Sequence, residues 1–525
     1  MRDANFGNLI GFLVLILSTT ALAQQPASHY FAIQVVDDQT GRGVPMVQLQ
    51  TTSMVSYYTD SNGLVAFDEP GLMNRKVWFG VDSPGYQYPA DFLGSRGVSL
   101  ETKPGGSATI KIKRLNIAER LYRMTGQGIY RDTVMLGRKA PIAEPLLNAQ
   151  VTGQDSVLNA IYEGKLYWFY GDTGRISYAL GNFSTTGATT ELPAVIDPSV
   201  GFNLHYFIGK DGFVRPMAPM KGEGVVWVGG IVVLPDESGH ERMLGFFQRR
   251  RGMGAVLENG FIVFNDQKEQ FEKLKDVPVD PPIEPTGTGI PLRVKEKDGA
   301  QYVVFAAPYP ALRVKADMRS YVDLSAYEAF TCLKSGTHFK SAESAELDRD
   351  SSGKLIWGWK RDTSPLNSME QEKLIAAGKM KREESPQRLQ DAETGKPVLI
   401  NNCSCFWNEY RKKYVMIAAQ ALGETMLGEI WYSESDHPEG PWVNARKIIT
   451  HVDQKNGPHD FYNVTQHPFF DREGGRIIYL EGTYVNTFSG NPRVTPYYEY
   501  NQIMYRLDLS DLRLKLTGAG TTERK

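Results

Sequence analysis

Asp155, Glu223 and Asp460 are acidic residues at corresponding places in a spaced series of chain segments, each standing ahead of or opening an apolar run. Carboxylates brought together from separate segments can divide a reaction between them. One is held protonated as an acid while the other stays ionised as a base or nucleophile. Placed on opposite sides of a glycosidic bond, such a pair hydrolyses it, with a separation of about 5–5.5 Å for retention and about 6.5–9.5 Å for inversion. Helpers stand at comparable places: Asp172, Trp227, Arg249, Asn402, Gln420, His459, Tyr462 and Glu481. Amides and carboxylates of this kind bind hydroxyls, and an aromatic ring stacks on the apolar face of a sugar. Arg249 leads a run of three arginines suited to an acidic group, and strand alternation sends its members to different faces.

These residues act together only if the fold converges them. From Gln150 the chain runs in five units, each opening on a strand that begins with polar or small residues and continuing into a strongly apolar second strand after a short turn. Lys165–Gly171, Arg242–Phe247, Gln301–Ala306, Tyr414–Ala419 and Arg476–Glu481 are the second strands, and the units open at Asp155, Glu223, Thr288, Asn402 and Asp460. Small antiparallel meanders of this size are propeller blades. In a propeller every innermost strand starts at one end of the central channel, and every second strand returns there. The side chains named above are therefore expected around one mouth. Five blades is the count, and weakly marked fourth strands leave room for a sixth. The long interval from Thr288 to Asn402 holds an insertion, read as an outer strand near Lys354–Trp359, a short helix behind a Ser368-x-x-Gln371 capping box, and a charged, solvated excursion from Lys379 to Gly395.

Two blocks carry a resemblance: Gly153-Gln-Asp-Ser with Tyr167-Trp-Phe-Tyr-Gly-Asp, and Trp431-Tyr-Ser-Glu-Ser-Asp-His-Pro-Glu-Gly-Pro-Trp. They resemble the five-bladed propellers of the furanosidase superfamily, the β-fructosidase and arabinanase type. The resemblance implies a glycoside hydrolase acting on a poly- or oligosaccharide. It implies that Asp155, opening the first blade, is the base or nucleophile, and that a Glu from a middle blade is the acid. Glu223 opens the second unit; the third has Glu284 near its opening, and no Arg-Asp-Pro motif is present. Two other readings stay open. One is a non-catalytic propeller that binds glycan or protein. The other is a polysaccharide lyase using His205-Tyr206 or His459 as base, with the arginines or a cation neutralising a uronate.

Ahead of the propeller, short alternating strands separated by Gly-containing turns run from about Tyr30 to Arg114. The stretches Val35–Gln50, Thr59–Phe67 and Val81–Tyr88 resemble the carboxypeptidase-regulatory or transthyretin-like sandwich, a module that supports a neighbour. The expected architecture is all-β: a leader over 1–23, a small N-terminal β-sandwich over 28–114, a linker leading into the propeller over 115–149, and a five-bladed β-propeller over 150–515. The leader has one Arg, an apolar run from Leu9 to Leu22 and an Ala21-Leu-Ala23 cleavage pattern, which predicts a secreted or periplasmic mature chain with no membrane span.

A formal net charge of -2 provides no basic field for nucleic acid, and no phosphate-binding or dinucleotide fingerprint is present. Three cysteines, Cys332, Cys403 and Cys405, are too few for a disulfide framework and lack zinc-ligand spacing. They read as buried thiols, with a bridge from Cys332 left open. No cofactor and no metal site are expected, apart from an optional structural calcium ion. A carbohydrate is the expected partner.

Overall fold

In the computed structural model, residues 29–281, 283–285, 290–305, 311–453 and 455–516 are described. The leader and the Thr288 opening of the third unit lie outside them.

The first layer pair forms where the sequence alternates. One four-stranded sheet has the order Leu64–Phe67, Phe31–Asp37, Ser107–Arg114, Tyr86–Gln87, and the other has Ser56–Tyr58, Gln48–Thr51, Arg75–Asp82, Gly97–Thr102. Inward residues of both sheets, among them Ile33, Val35, Leu49, Phe67, Phe79 and Ile110, close one apolar core. Gly63 pivots the turn before Leu64 at φ 72°, and a Cβ there would lie 2.5 Å from the Val35 carbonyl, so no other residue fits.

Five further sheets of four or five strands follow, the blades, with a small three-stranded and a two-stranded sheet beside them. Their innermost strands are Leu158–Tyr162, Val225–Pro235, Leu292–Lys295, Ile400–Asn408 and Asp460–Gln466. Alternation along each strand feeds two different cores, one on each side of its sheet. Tyr167 and Phe169 pack with Val226, Met243 and Phe247 of the second blade. Leu166, Trp168 and Tyr170, on the other face of the same strand, pack with Tyr479 and Met504 of the fifth. Leu244 and Phe246 meet Val303 and Phe305; Leu292 and Val304 meet Met416 and Trp431; Val415 and Ile417 meet Phe461 and Ile478. Five apolar seams thus join blade 1 to 2, 2 to 3, 3 to 4, 4 to 5 and 5 back to 1. The ring is closed with five blades.

Closure uses a strand from outside the repeat. The outermost strand of the fifth blade is Glu119–Arg123, which pairs antiparallel to Asn501–Asp508 with Arg123 opposite Ile503. This gives the last blade its fourth strand from the chain that precedes the first. The same segment leaves the sandwich directly, and Ile117 and Ala118 donate their amides to the Ile448 carbonyl of blade 4.

The insertion differs in detail from the sequence reading. Gly358–Arg361 adds a fifth, outer strand to blade 3. The helix is Ser368–Ala376, capped one residue earlier than expected, by Asn367 in a reciprocal box with Glu370. The excursion from Lys379 is not merely solvated: Gln387–Asp391 lies parallel to Trp442–Ile449 on the edge of blade 4. A small separate core of Cys332, Leu333, Leu355, Leu366, Leu374 and Met380 holds the insertion together. All three cysteines are buried, and burial pushes the Cys332 thiol up to about 12.

Candidate functional site

The first blade opens through an extra strand, Val151–Gln154, which pairs with Thr173–Arg175 directly after Asp172. This pairing sets Asp155 and Asp172 side by side. Asp155 donates its amide to the Asp172 carbonyl at 3.1 Å, and Asp172 donates its own amide to Asp155 Oδ1 at 2.7 Å. Gly171 lies between them, and a Cβ at that position would sit 2.2 Å from Asp155 Oδ1. The glycine makes the close approach.

The fifth blade supplies the other wall. Tyr462 on its innermost strand donates its hydroxyl to Asp155 Oδ2 at 2.9 Å, and Tyr500, just ahead of its third strand, hydrogen-bonds the same carboxyl group. Burial raises the Asp155 carboxyl above its ordinary range, and the Tyr500 and Tyr462 hydroxyls with the Asp172 amide act in the opposite direction. Asp172 is raised to about 7, first by burial and then by the Asp155 charge. Both tyrosines are raised far above normal by burial and by Asp155, so they serve as donors at any physiological pH.

The backbone here is strained. Ser156, Asn463 and Tyr500 have φ of 51°, 52° and 61°. Ser156 follows Asp155, Tyr500 hydrogen-bonds it, and Asn463 follows Tyr462 and donates its side-chain amide to Ser156 Oγ at 2.6 Å. A non-glycine residue in this region costs on the order of 1–3 kcal/mol and persists where surrounding structure fixes it. Three such positions around one carboxylate mark a centre held in a set geometry.

On the second blade, Trp227 is half-buried, donating Nε1 to the Phe183 carbonyl at 3.0 Å. The Arg250 guanidinium lies 5.2 Å from its ring centre and donates to Gln248 Oε1 at 3.1 Å. Gln248 in turn donates to Glu284 Oε2 at 3.0 Å. Burial raises Glu284, with Asn259 and Arg250 opposing. Alternation puts Arg249 on the opposite face from Arg250. It donates Nε to Glu258 at 2.7 Å and Nη1 to the Glu223 carbonyl at 2.7 Å. Arg250, then, is the arginine beside Trp227.

Several expected mouth residues lie elsewhere or are otherwise engaged. Glu223 is an exposed rim residue whose carbonyl accepts from Arg249, so its side chain is not enclosed by the mouth. Asp460 opens its strand as expected but is wholly buried, accepting from the Phe488 amide at 2.5 Å; it fastens the loop after the second strand instead of facing solvent. Glu481 is also wholly buried, 3.1 Å from His467 Nε2, because its strand runs on to Val485 and leaves it mid-strand. His459 stacks on Tyr484 with ring centres 5.2 Å apart, and its Nε2 lies 3.1 Å from the Arg493 carbonyl. It lines a cavity of about 560 Å³ between the sandwich and blade 5, and burial lowers its basicity. Gln420 accepts from Trp431 Nε1 at 2.8 Å, and Asn402 is buried opposite Ala419. His205 and Tyr206 form the outermost strand of blade 1, away from the channel.

Tyr500 is absent from the sequence candidates, while Arg250 enters there only as a member of the arginine run and Glu284 only as a carboxylate near the third opening. Tyr500 stands at a third-strand opening, a position at the same end of the channel as the first-strand openings. That equivalence is the signal that finds it. Among the described residues, no group of three His, Cys, Asp or Glu side chains is placed to hold a metal ion, and no helix is long and apolar enough to cross a membrane.

No family model and no curated protein matches this chain. Among solved structures it is similar to the GH43_1 enzyme from Xanthomonas citri complexed with xylose, at 11% identity over 69% of this chain and 88% of that one, TM-score 0.33. A putative exo-β-1,3-galactanase from Bifidobacterium bifidum s17 is similar at 9% identity over 77% and 98%, TM-score 0.33. An exo-1,5-α-L-arabinanase from a bovine ruminal metagenomic library is similar at 11% identity over 68% and 94%, TM-score 0.33.

Proposed function

We propose that the chain is an exported glycoside hydrolase acting on a poly- or oligosaccharide, with Asp155 as base or nucleophile and Asp172 as its proton-bearing partner. One observation carries the reading. Burial raises both neighbouring carboxyl groups, but unequally opposed: at Asp155 two tyrosine hydroxyls and an amide counter the rise by favouring its anion, whereas Asp172 has no such donors against it and is raised to about 7 by burial and by the Asp155 charge. Such a split assigns acid and base roles to otherwise identical groups. Trp227 and the Arg250–Gln248–Glu284 chain offer a ring and polar groups for a sugar on the adjoining blade. The test is reducing-end release from a panel of plant and algal polysaccharides by wild type, Asp155→Asn and Asp172→Asn. Cleavage by wild type with loss in both folded variants supports the reading. Full activity in Asp155→Asn overturns it.

A non-catalytic glycan-binding propeller is the second reading, favoured by one fact: Asp460, expected across the mouth, is buried and engaged with a loop amide. Retained binding to one polysaccharide by an inactive wild type selects it.

A further inference from the structure

We infer that the N-terminal sandwich positions Asp155 through the loop that carries Tyr498 and Tyr500. The inference rests on the reading of Asp155 as the reacting carboxylate. Tyr498 is buried to 1% exposure and donates its hydroxyl to the carbonyl of Thr59, which belongs to the sandwich. The Arg123 guanidinium, itself buried, lies 5.0 Å from the centre of the Tyr498 ring. Arg123 is tied to the sandwich as well, donating its amide to Ser61 Oγ at 3.2 Å.

Two residues beyond Tyr498, Tyr500 adopts φ 61° and hydrogen-bonds Asp155. The loop between these contacts has little slack. Glu499 accepts from the amides of Asn486 and Thr495, fastening both limbs, and Asn501 donates to the Glu499 carbonyl at 3.0 Å. A carbonyl in the sandwich is thus linked to the candidate carboxylate through one rigid loop. Loosening Tyr498 frees the strained Tyr500 backbone to relax, and Asp155 loses a donor. Tyr498 and Tyr500 are positioning residues, and the sandwich is part of the site's support.

Losing the Tyr500 donor removes a hydrogen bond to a charged group and moves the acid limb of the pH–rate profile upward by about one to two pH units. The experiment compares wild type with Tyr498→Phe, which keeps the ring over Arg123. It adds Thr59→Ala, which approaches from the sandwich side by removing the hydroxyl that holds Thr59 to Val44 and Val47. Two quantities are read on the full chain: the acid limb of the pH–rate profile, and amide hydrogen exchange across Asn486–Gln502. The expected result is an upward shift in both variants, with exchange of this segment accelerated about tenfold while the blade cores stay protected. An active wild type whose variants keep both limb and protection overturns the inference. An inactive wild type overturns the hydrolase reading alone. In that event unchanged protection at Tyr500–Gln502 overturns the positioning link, and accelerated exchange sustains it. If one variant fails to fold, the other decides.

Discussion

The blade 1–blade 5 wall and the blade 2 rim lie at the same end of the channel, yet they use their charged groups in opposite ways. At the wall, Asp155 and Asp172 have no cation within ion-pair distance among the described residues, and Asp155 is held by tyrosine hydroxyls and an amide. At the rim, Glu258 is paired with both Arg249 and Lys273, and Arg249 is spent on it and on a carbonyl. Opposite charge fixes a carboxylate in its ionised form, while burial without a cation leaves it able to exchange a proton. Position in the blade brings acidic residues to the mouth. The neighbours decide which can do chemistry.

The comparison breaks first at Asp155. Asp155→Asn is expected to reduce turnover by about 10²–10⁴-fold, in the range of lost acid–base catalysis, with little change in melting temperature; reducing-end assays and thermal melts measure both. Asp172→Asn is expected to cost about 10²-fold. In wild type, activity should fall as pH rises through about 7, where Asp172 loses its proton. Stability carries the same sign. The folded state holds a proton that the unfolded chain releases near pH 4, so Asp172 destabilises the fold progressively from there up through about pH 7. Melting of Asp172→Asn should therefore exceed wild type at pH 8 and converge with it toward pH 4.

Tyr462→Phe sharpens the contrast at smaller scale, removing one donor from Asp155 and lowering turnover about tenfold. Glu223→Gln on the rim should change activity by no more than about twofold, since an exposed side chain away from the paired groups is replaced. Smaller still, and away from the mouth, is Asp82 at the sandwich junction. Burial, then the nearby Asp453 carboxylate, raises its pKa, so Asp82→Asn should raise the melting temperature modestly in alkaline buffer and leave it unchanged in acid.

Much of the fold was legible because the second strands are near-continuous apolar runs and the innermost strands open on recognisable turns. The openings at Asp155, Glu223, Asn402 and Asp460 lie within three residues of the observed strand starts. Outer strands were not legible. Gln270–Val277 is half exposed and reads QFEKLKDV, His205–Tyr206 is only two residues, and Glu119–Arg123 comes from ahead of the repeat. At the candidate site the sequence carries residue type and place in the blade, but not environment. Asp155 and Tyr462 touch across 307 positions, and the burial of Asp460 and Glu481 depends on where neighbouring strands end. Local pattern carries no record of either.

The strand that shuts the ring also sets a timing problem for synthesis. Glu119 leaves the ribosome long before Arg506, its ion-pair partner 387 positions later. At about 5–20 residues per second, the closing strand waits roughly 20–80 s for its neighbour to exist. During that interval it is an unpaired β-edge beside an already completed sandwich. Its sequence, Glu-Arg-Leu-Tyr-Arg, places a charge at both ends and next to the first apolar residue, which discourages pairing with another nascent chain. The partner strand brings Arg506 to meet Glu119, so a charge that guards the waiting edge becomes part of the contact that fastens it.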